Sequence, residues 1–252
     1  MLKHRIIPVV LIDGFSVLKT INFETRRNLG SPITVARTYN TRNVDELILL
    51  DIDASKQNRS IDIFTINEIA KECFMPLTVG GGIKTLEDIE KLLSKGADKV
   101  ALNTIFLEDF NFLKSASESF GNQCMVASVD VILKNGTYKI FSHLQQNTEV
   151  ELFKFCKDLE KNGAGEILLN SVDRDGQMKG MDFDLIKKVS DTVNIPVIAC
   201  GGVSRPQDCS KAIKFGASAV GASSIFHFTN FTPNDCRDDL LRQGIPARKA
   251  NI

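Results

Sequence analysis

The chain has no excess of either charge: 31 lysines and arginines balance 31 aspartates and glutamates. A formal charge of zero excludes the broad basic surface that nucleic acid or an anionic membrane would require. No apolar run approaches the roughly 18 residues of a membrane span, and the opening MLKHRIIPVV lacks the long apolar core of a secretory signal. The six cysteines (Cys73, Cys124, Cys156, Cys200, Cys209 and Cys236) show no CxxC spacing. Metal ligation is therefore not expected, and the thiols read as reduced and mostly buried, as in a cytoplasmic protein. No cofactor is implied. No Pro/Gly/Ser-rich or charged linker divides the 252 residues, of which 43% are hydrophobic. That is enough to bury one full core, and the length fits a single (β/α)₈ barrel, typically about 250 residues.

What is present is a repeat. Pro76–Phe106 (PLTVGGGIKTLEDIEKLLSKGADKVALNTIF) aligns without a gap on Pro196–Phe226 (PVIACGGVSRPQDCSKAIKFGASAVGASSIF). The shared residues include Gly81, Gly82, Asp88, Gly96, Ala97 and Phe106. The same offset lays Glu46–Asp53 on Glu166–Asp173. One offset serving two separated segments means an internal duplication. Each copy is an apolar run ending in glycines, a helical pattern, a Gly-Ala stop and a second apolar run, which is a β-α-β unit. The fold class follows: α/β, a single TIM barrel made of two half-barrels, at about 1–121 and 122–252.

In chain order, Arg5–Leu11 is the first strand, and Ile12-Asp13-Gly14 opens a long loop running past Lys19 to Ser31. Long barrel loops often carry function. Helix Ile33–Asn40 is expected to be capped by Ser31, with Pro32 at its first position. Strands are predicted at Glu46–Ile52, Met125–Val131, Glu166–Asn170 and Val197–Cys200, beside those of the repeat, with a hairpin excursion at Gly136–Ser142. The remaining helices are placed at 61–73, 110–120, 150–162, 182–191, 205–215 and 234–243.

Candidate chemistry collects just past the strand ends, which form the active-site face of such a barrel. Glycine turns and strand-end hydroxyls there can hold phosphate. Duplication predicts two cradles, at Gly82/Asn103/Thr104 and at Gly202/Ser223/Ser224, and hence a ligand with two phosphoryl groups. Asp130 ends an otherwise apolar strand, a costly place for a charge unless it serves a pocket. Asp175 in DRDG is a second candidate, while Asp51 and Asp53 divide evenly between functional and structural readings.

These motifs (RIIP, DELILLDIDAS, PLTVGGGI, GAGEILLNSVDRDG, PVIACGG, SIFHF) resemble HisF, the cyclase subunit of imidazole glycerol phosphate synthase, over nearly the whole chain. The resemblance implies an ammonia-dependent lyase or cyclase that works with a glutaminase docked on the N-terminal barrel face. Asp130 matches a catalytic acid–base group, Lys19 the lysine of the first loop and Asp175 the aspartate of the DRDG loop. Gly82, Asn103 and Thr104 match one phosphate site; Gly176, Gly202 and Ser224 match the other. Arg5, Glu46, Lys99 and Glu166 match a charged ring thought to gate ammonia, and Asp45 and Asp98 beside it could meet the partner. None of the cysteines sits in a glutaminase-like nucleophile context, so ammonia must come from a separate chain.

One departure stands out. The family's first-strand catalytic aspartate is Leu11 here, and leucine can neither give nor take a proton. Thr20 also replaces a usual glycine. The chain then resembles HisF paralogues of surface-polysaccharide synthesis, in which a glutaminase and a further amidotransferase convert an acetamido sugar into an acetamidino sugar. A genuine cyclase of histidine biosynthesis, aided by water or by Asp13, is the second reading. A non-catalytic ammonia-channelling scaffold is the third.

Overall fold

The computed structural model describes residues 3–142 and 150–249. Strand β1 (Arg5–Ile12) leads into a hairpin of β2 (Val17–Ile21) and β3 (Thr25–Gly30). Then follow α1 (Pro32–Thr41), β4 (Leu47–Asp51), α2 (Ile63–Ala70), β5 (Leu77–Gly80), α3 (Leu86–Ser94) and β6 (Lys99–Leu102). Next come α4 (Thr104–Glu108), α5 (Phe110–Phe120), β7 (Met125–Lys134), β8 (Thr137–Ile140), α6 (Leu152–Lys161) and β9 (Glu166–Ser171). The chain closes with α7 (Phe183–Ser190), β10 (Val197–Cys200), α8 (Pro206–Lys214), β11 (Ala219–Ala222), α9 (Ser224–Phe228) and α10 (Pro233–Arg242).

Strands β1, β4, β5, β6, β7, β9, β10 and β11 pair in parallel in that order, and β11 pairs back to β1 through Arg5↔Ala219 to Pro8↔Ala222. The sheet is thus a closed (β/α)₈ barrel. Its strands are aliphatic at nearly every position because both faces are covered. One face packs under the helices through residues such as Ile6, Leu47, Leu77, Val100 and Leu169. The other fills the barrel interior with Ile7, Ile48, Ala101, Val126, Leu168, Ile198 and Ala219.

The duplication reappears as paired contacts. Asp88 accepts from the amides of Lys84 and Thr85 (both 3.0 Å), and its twin Asp208 does the same for Ser204 and Arg205 (2.9 and 3.2 Å). Each aspartate therefore serves its helix start, an interaction of about 1 kcal/mol. The shared residue exists for the turn, not for the ligand.

Two local expectations change. Residues 12–31 are not an open loop: β2 pairs antiparallel with β1 (Leu11↔Leu18, Ile12↔Val17) and with β3. The turn is made by Asn22 and Phe23, both at positive φ (49° and 64°), so no glycine marks it in the sequence. Ser31 occupies the position before α1 but makes no side-chain cap bond. Pro32, lacking an N–H, leaves one donor fewer to satisfy. The excursion after β7 forms as expected, with β8 antiparallel to it around Asn135-Gly136. Three of the six cysteines (Cys156, Cys209 and Cys236) are buried, the others half-buried, and all are free thiols. Among the described residues, no helix is long and apolar enough to cross a membrane.

Candidate active site

At the C-terminal ends of the barrel strands lies a cavity of about 180 Å³. Leu11, Lys19, Gly82, Asn103, Thr104, Asp130, Asp175, Gly176, Gly202, Ser223 and Ser224 all line it. Residues scattered from 11 to 224 converge there because every inner strand ends on the same face.

Asp130 sits in the cavity wall on β7, 8% exposed. The Asn103 side-chain amide donates to its Oδ2 at 2.8 Å, and that of Asn170 donates to its Oδ1 at 3.3 Å. Burial disfavours the charged form and outweighs the two amides, with Asp175 adding like charge, so the carboxyl is pushed up to about 6. An acid poised there can give or take a proton near neutrality. Asn170 was not among the sequence candidates. The signal for it was an amide ending the apolar run EILLN.

Lys19 is 3% exposed and lies 3.1 Å from both carboxylate oxygens of Asp175. The pair is held by backbone as well: Asn22 N donates to Asp175 O at 3.0 Å. Thr20 fits as part of β2, its hydroxyl 3.4 Å from Asp175 Oδ2. The hairpin thus lies across the cavity mouth. A second anchor is the Arg26–Asp53 fork (both contacts 2.5 Å), which holds the Asp53 carboxyl below the usual carboxylate range.

Asp53 stands outside the cavity lining as a loop support, whereas Asp51 both supports the loop and lines the cavity. Asp51 is gripped by Arg59 (2.7 and 3.0 Å) and accepts the amides of Asp53 and Ala54. Asp13 does not enter the cavity: its Oδ1 accepts from the amides of Phe15 and Ser16 (3.1 and 2.8 Å), closing its own turn. Leu11 does line the cavity, at 8% exposure, beside its register partner Leu50.

Gly82 and Gly202 stand where the backbone packs closely against a neighbouring loop. A Cβ on Gly82 (φ 67°) would meet Arg59 O at 2.4 Å, and one on Gly202 (φ 91°) would meet Gly180 O at 2.3 Å. The two cradles are not equivalent. Gly82 N already donates to Ser55 Oγ at 3.3 Å, and Asn103 serves Asp130. The Ser223 and Ser224 hydroxyls are buried and have no partner among the described residues. Such groups are costly unless something accepts from them or donates to them.

At the opposite end of the barrel, Arg5, Glu46, Lys99 and Glu166 close a ring. Arg5 meets Glu46 at 2.5 Å and Glu166 at 3.2 Å, and Lys99 meets both glutamates at 3.2 Å. The Thr78 hydroxyl donates to Glu46 at 2.8 Å, while Glu166 Oε2 has no partner among the described residues. Two cations alternate with two anions, so the ring is neutral. Asp45 is not free to meet a partner: it accepts from Ile6 N (2.9 Å) and pairs with fully buried Arg237 (3.2 Å). Asp98 is exposed, although it accepts from Leu77 N at 2.8 Å.

Fold and site together define a (β/α)₈ barrel with a titratable pocket at one mouth and a closed ion ring at the other. A family model described as "Histidine biosynthesis protein" matches residues 5–232. A Campylobacter jejuni subsp. jejuni protein, provisionally named imidazole glycerol phosphate synthase subunit hisF2, is 47% identical over 250 residues, covering 98% of this chain and 99% of that one. The chain belongs to the histidine biosynthesis protein family and is a HisF-like enzyme.

Proposed function

We propose that this barrel receives ammonia from a separate glutaminase at its N-terminal mouth and adds it to a phosphorylated substrate at the C-terminal cavity. The ring of Arg5, Glu46, Lys99 and Glu166 marks the entrance, with Asp98 on its rim. The interior above it is apolar, lined by Ile7, Ile48, Ala101, Val126, Leu168, Ile198 and Ala219. Neutral ammonia can cross such a lining, whereas ammonium would lose its hydration without replacement. In the cavity Asp130 moves protons, the Lys19–Asp175 pair contacts the substrate, and the unpartnered Ser223 and Ser224 hydroxyls with Gly176 and Gly202 hold phosphate. Gly82 and Thr104 line the second phosphoryl subsite.

The reaction is a paralogous, amidine-forming one, in which an acetamido sugar of a surface glycan becomes an acetamidino sugar with a further amidotransferase. One observation carries this. The position of the family's other acid is Leu11, lining the cavity beside Leu50, and Asp13 is committed to its own turn. A genuine cyclase reading keeps support from the glycine cradles on both sides of the cavity.

The test supplies purified protein with ammonium salt and the bisphosphorylated cyclase substrate. We expect no imidazole product from the wild-type chain and measurable product from Leu11→Asp. Wild-type turnover at rates typical of the family would overturn the paralogue reading.

A further inference from the structure

We infer that Asn170 is the positioning residue for Asp130, the side chain that fixes and tunes the carboxyl across the barrel wall. The inference rests on the reading of Asp130 as the proton-transferring group. Asn170 stands directly beside Asp130 on the neighbouring strand, as its register partner between β7 and β9. Its amide reaches Oδ1 while Asn103, at the end of β6, reaches Oδ2. The carboxyl is therefore held from both sides, and its plane is set by two donors rather than one. An ionised carboxylate only accepts, so each neighbour must present its NH₂ edge.

The other half of the barrel supplies the contrast. Between β1 and β4 the register partners at the same height are Leu11 and Leu50, and both line the cavity. Acid and amide occur together in one half, and both positions are aliphatic in the other. A half-buried asparagine that lines the cavity next to the apolar run Ile167–Leu169 is costly unless its hydrogen bonds are used. Gly201 packs closely on the end of β9: a Cβ there, at φ 94°, would meet Ser171 O at 2.6 Å and Asn170 Oδ1 at 3.1 Å.

The ionisable groups facing Asp130 come from three further elements. Asp175 follows β9 and disfavours the charged carboxylate. Lys19 on β2 is engaged by Asp175, and the Cys200 thiol on β10 is kept protonated by burial. None of these donates to Asp130 among the described residues. Asn170 and Asn103 are the groups that favour its ionised form.

The test reads Asp130 directly, by NMR titration of carboxyl-labelled aspartate, with the resonance assigned from Asp130→Asn. Replacing Asn170 by leucine, the residue at the matching place in the first half, should raise the midpoint by about one pH unit, since one charge-assisted hydrogen bond is lost. Asn170→Ala is the second variant should the leucine not pack. In turnover the acidic limb of the kcat profile should move by the same amount, and Asn170→Gln should restore part of it. An unmoved Asp130 titration in a folded Asn170 variant overturns the inference, because a merely space-filling side chain would leave it there. The titration needs no substrate. A shifted titration without ammonia-dependent turnover would sustain the inference and remove the functional reading.

Discussion

Asp130 ionises in a place that resists charge, and this makes the residue a cost to the fold. Its folded value, about 6, lies above the ordinary 3.8. The neutral form is thus the favoured one: stability is fully present below the unfolded value and is lost as pH rises through the folded one. The gap corresponds to about 3 kcal/mol at pH 8. Asp130→Asn should therefore raise stability at pH 8 by on the order of 1–3 kcal/mol, less than the full gap because Asn103 and Asn170 then face a second amide. The gain should fade toward pH 4, as urea melts at the two pH values would show. Activity should be lost in the same variant, a trade common at active sites.

At the scale of elements, the β2–β3 hairpin contributes Lys19, Thr20 and Phe23 to the cavity lining. It carries Lys19 into the mouth and is held by two ion pairs, Lys19–Asp175 and Arg26–Asp53. Its outer strand β3 is otherwise largely exposed, so little apolar burial secures it. Asp53→Ala removes one pin without touching the cavity wall. Amide exchange over residues 17–30 should speed up several-fold while β4, β5 and β6 stay protected. If exchange in the hairpin were unchanged, the Arg26–Asp53 fork would be incidental to its closure.

The whole molecule carries a cavity at one mouth of the barrel and an ion ring at the other. Four charges in a partly desolvated mouth are tolerable only as a closed set, because an unpaired buried charge costs several kcal/mol. Lys99→Met leaves Glu46 and Glu166 sharing Arg5 alone and should destabilise the chain by on the order of 3 kcal/mol. With the glutaminase present, glutamine-dependent turnover should fall while turnover on added ammonium salt persists. Equal loss of both would assign the ring to stability and not to gating.

Sequence by itself determined a good deal. The repeat beginning at Pro76 and Pro196, aliphatic runs and glycine stops dictated a barrel, because a strand covered on both faces has few compositional options. Residues past the strand ends had to converge, since all inner strands run the same way. The Leu11 anomaly needed no coordinates to be seen. Tertiary structure decided the rest, where the deciding contact joins residues far apart in the chain. Asp53 was ambiguous until Arg26 was seen to hold it away from the cavity lining. Asp45 was a surface candidate until Arg237 covered it. Asn22 and Phe23 hid the hairpin turn, because positive φ in a residue other than glycine leaves little trace in sequence. Asn170 was one polar letter at the end of a strand. Only the lateral register between β7 and β9, a property of closure that no local pattern encodes, placed it against Asp130.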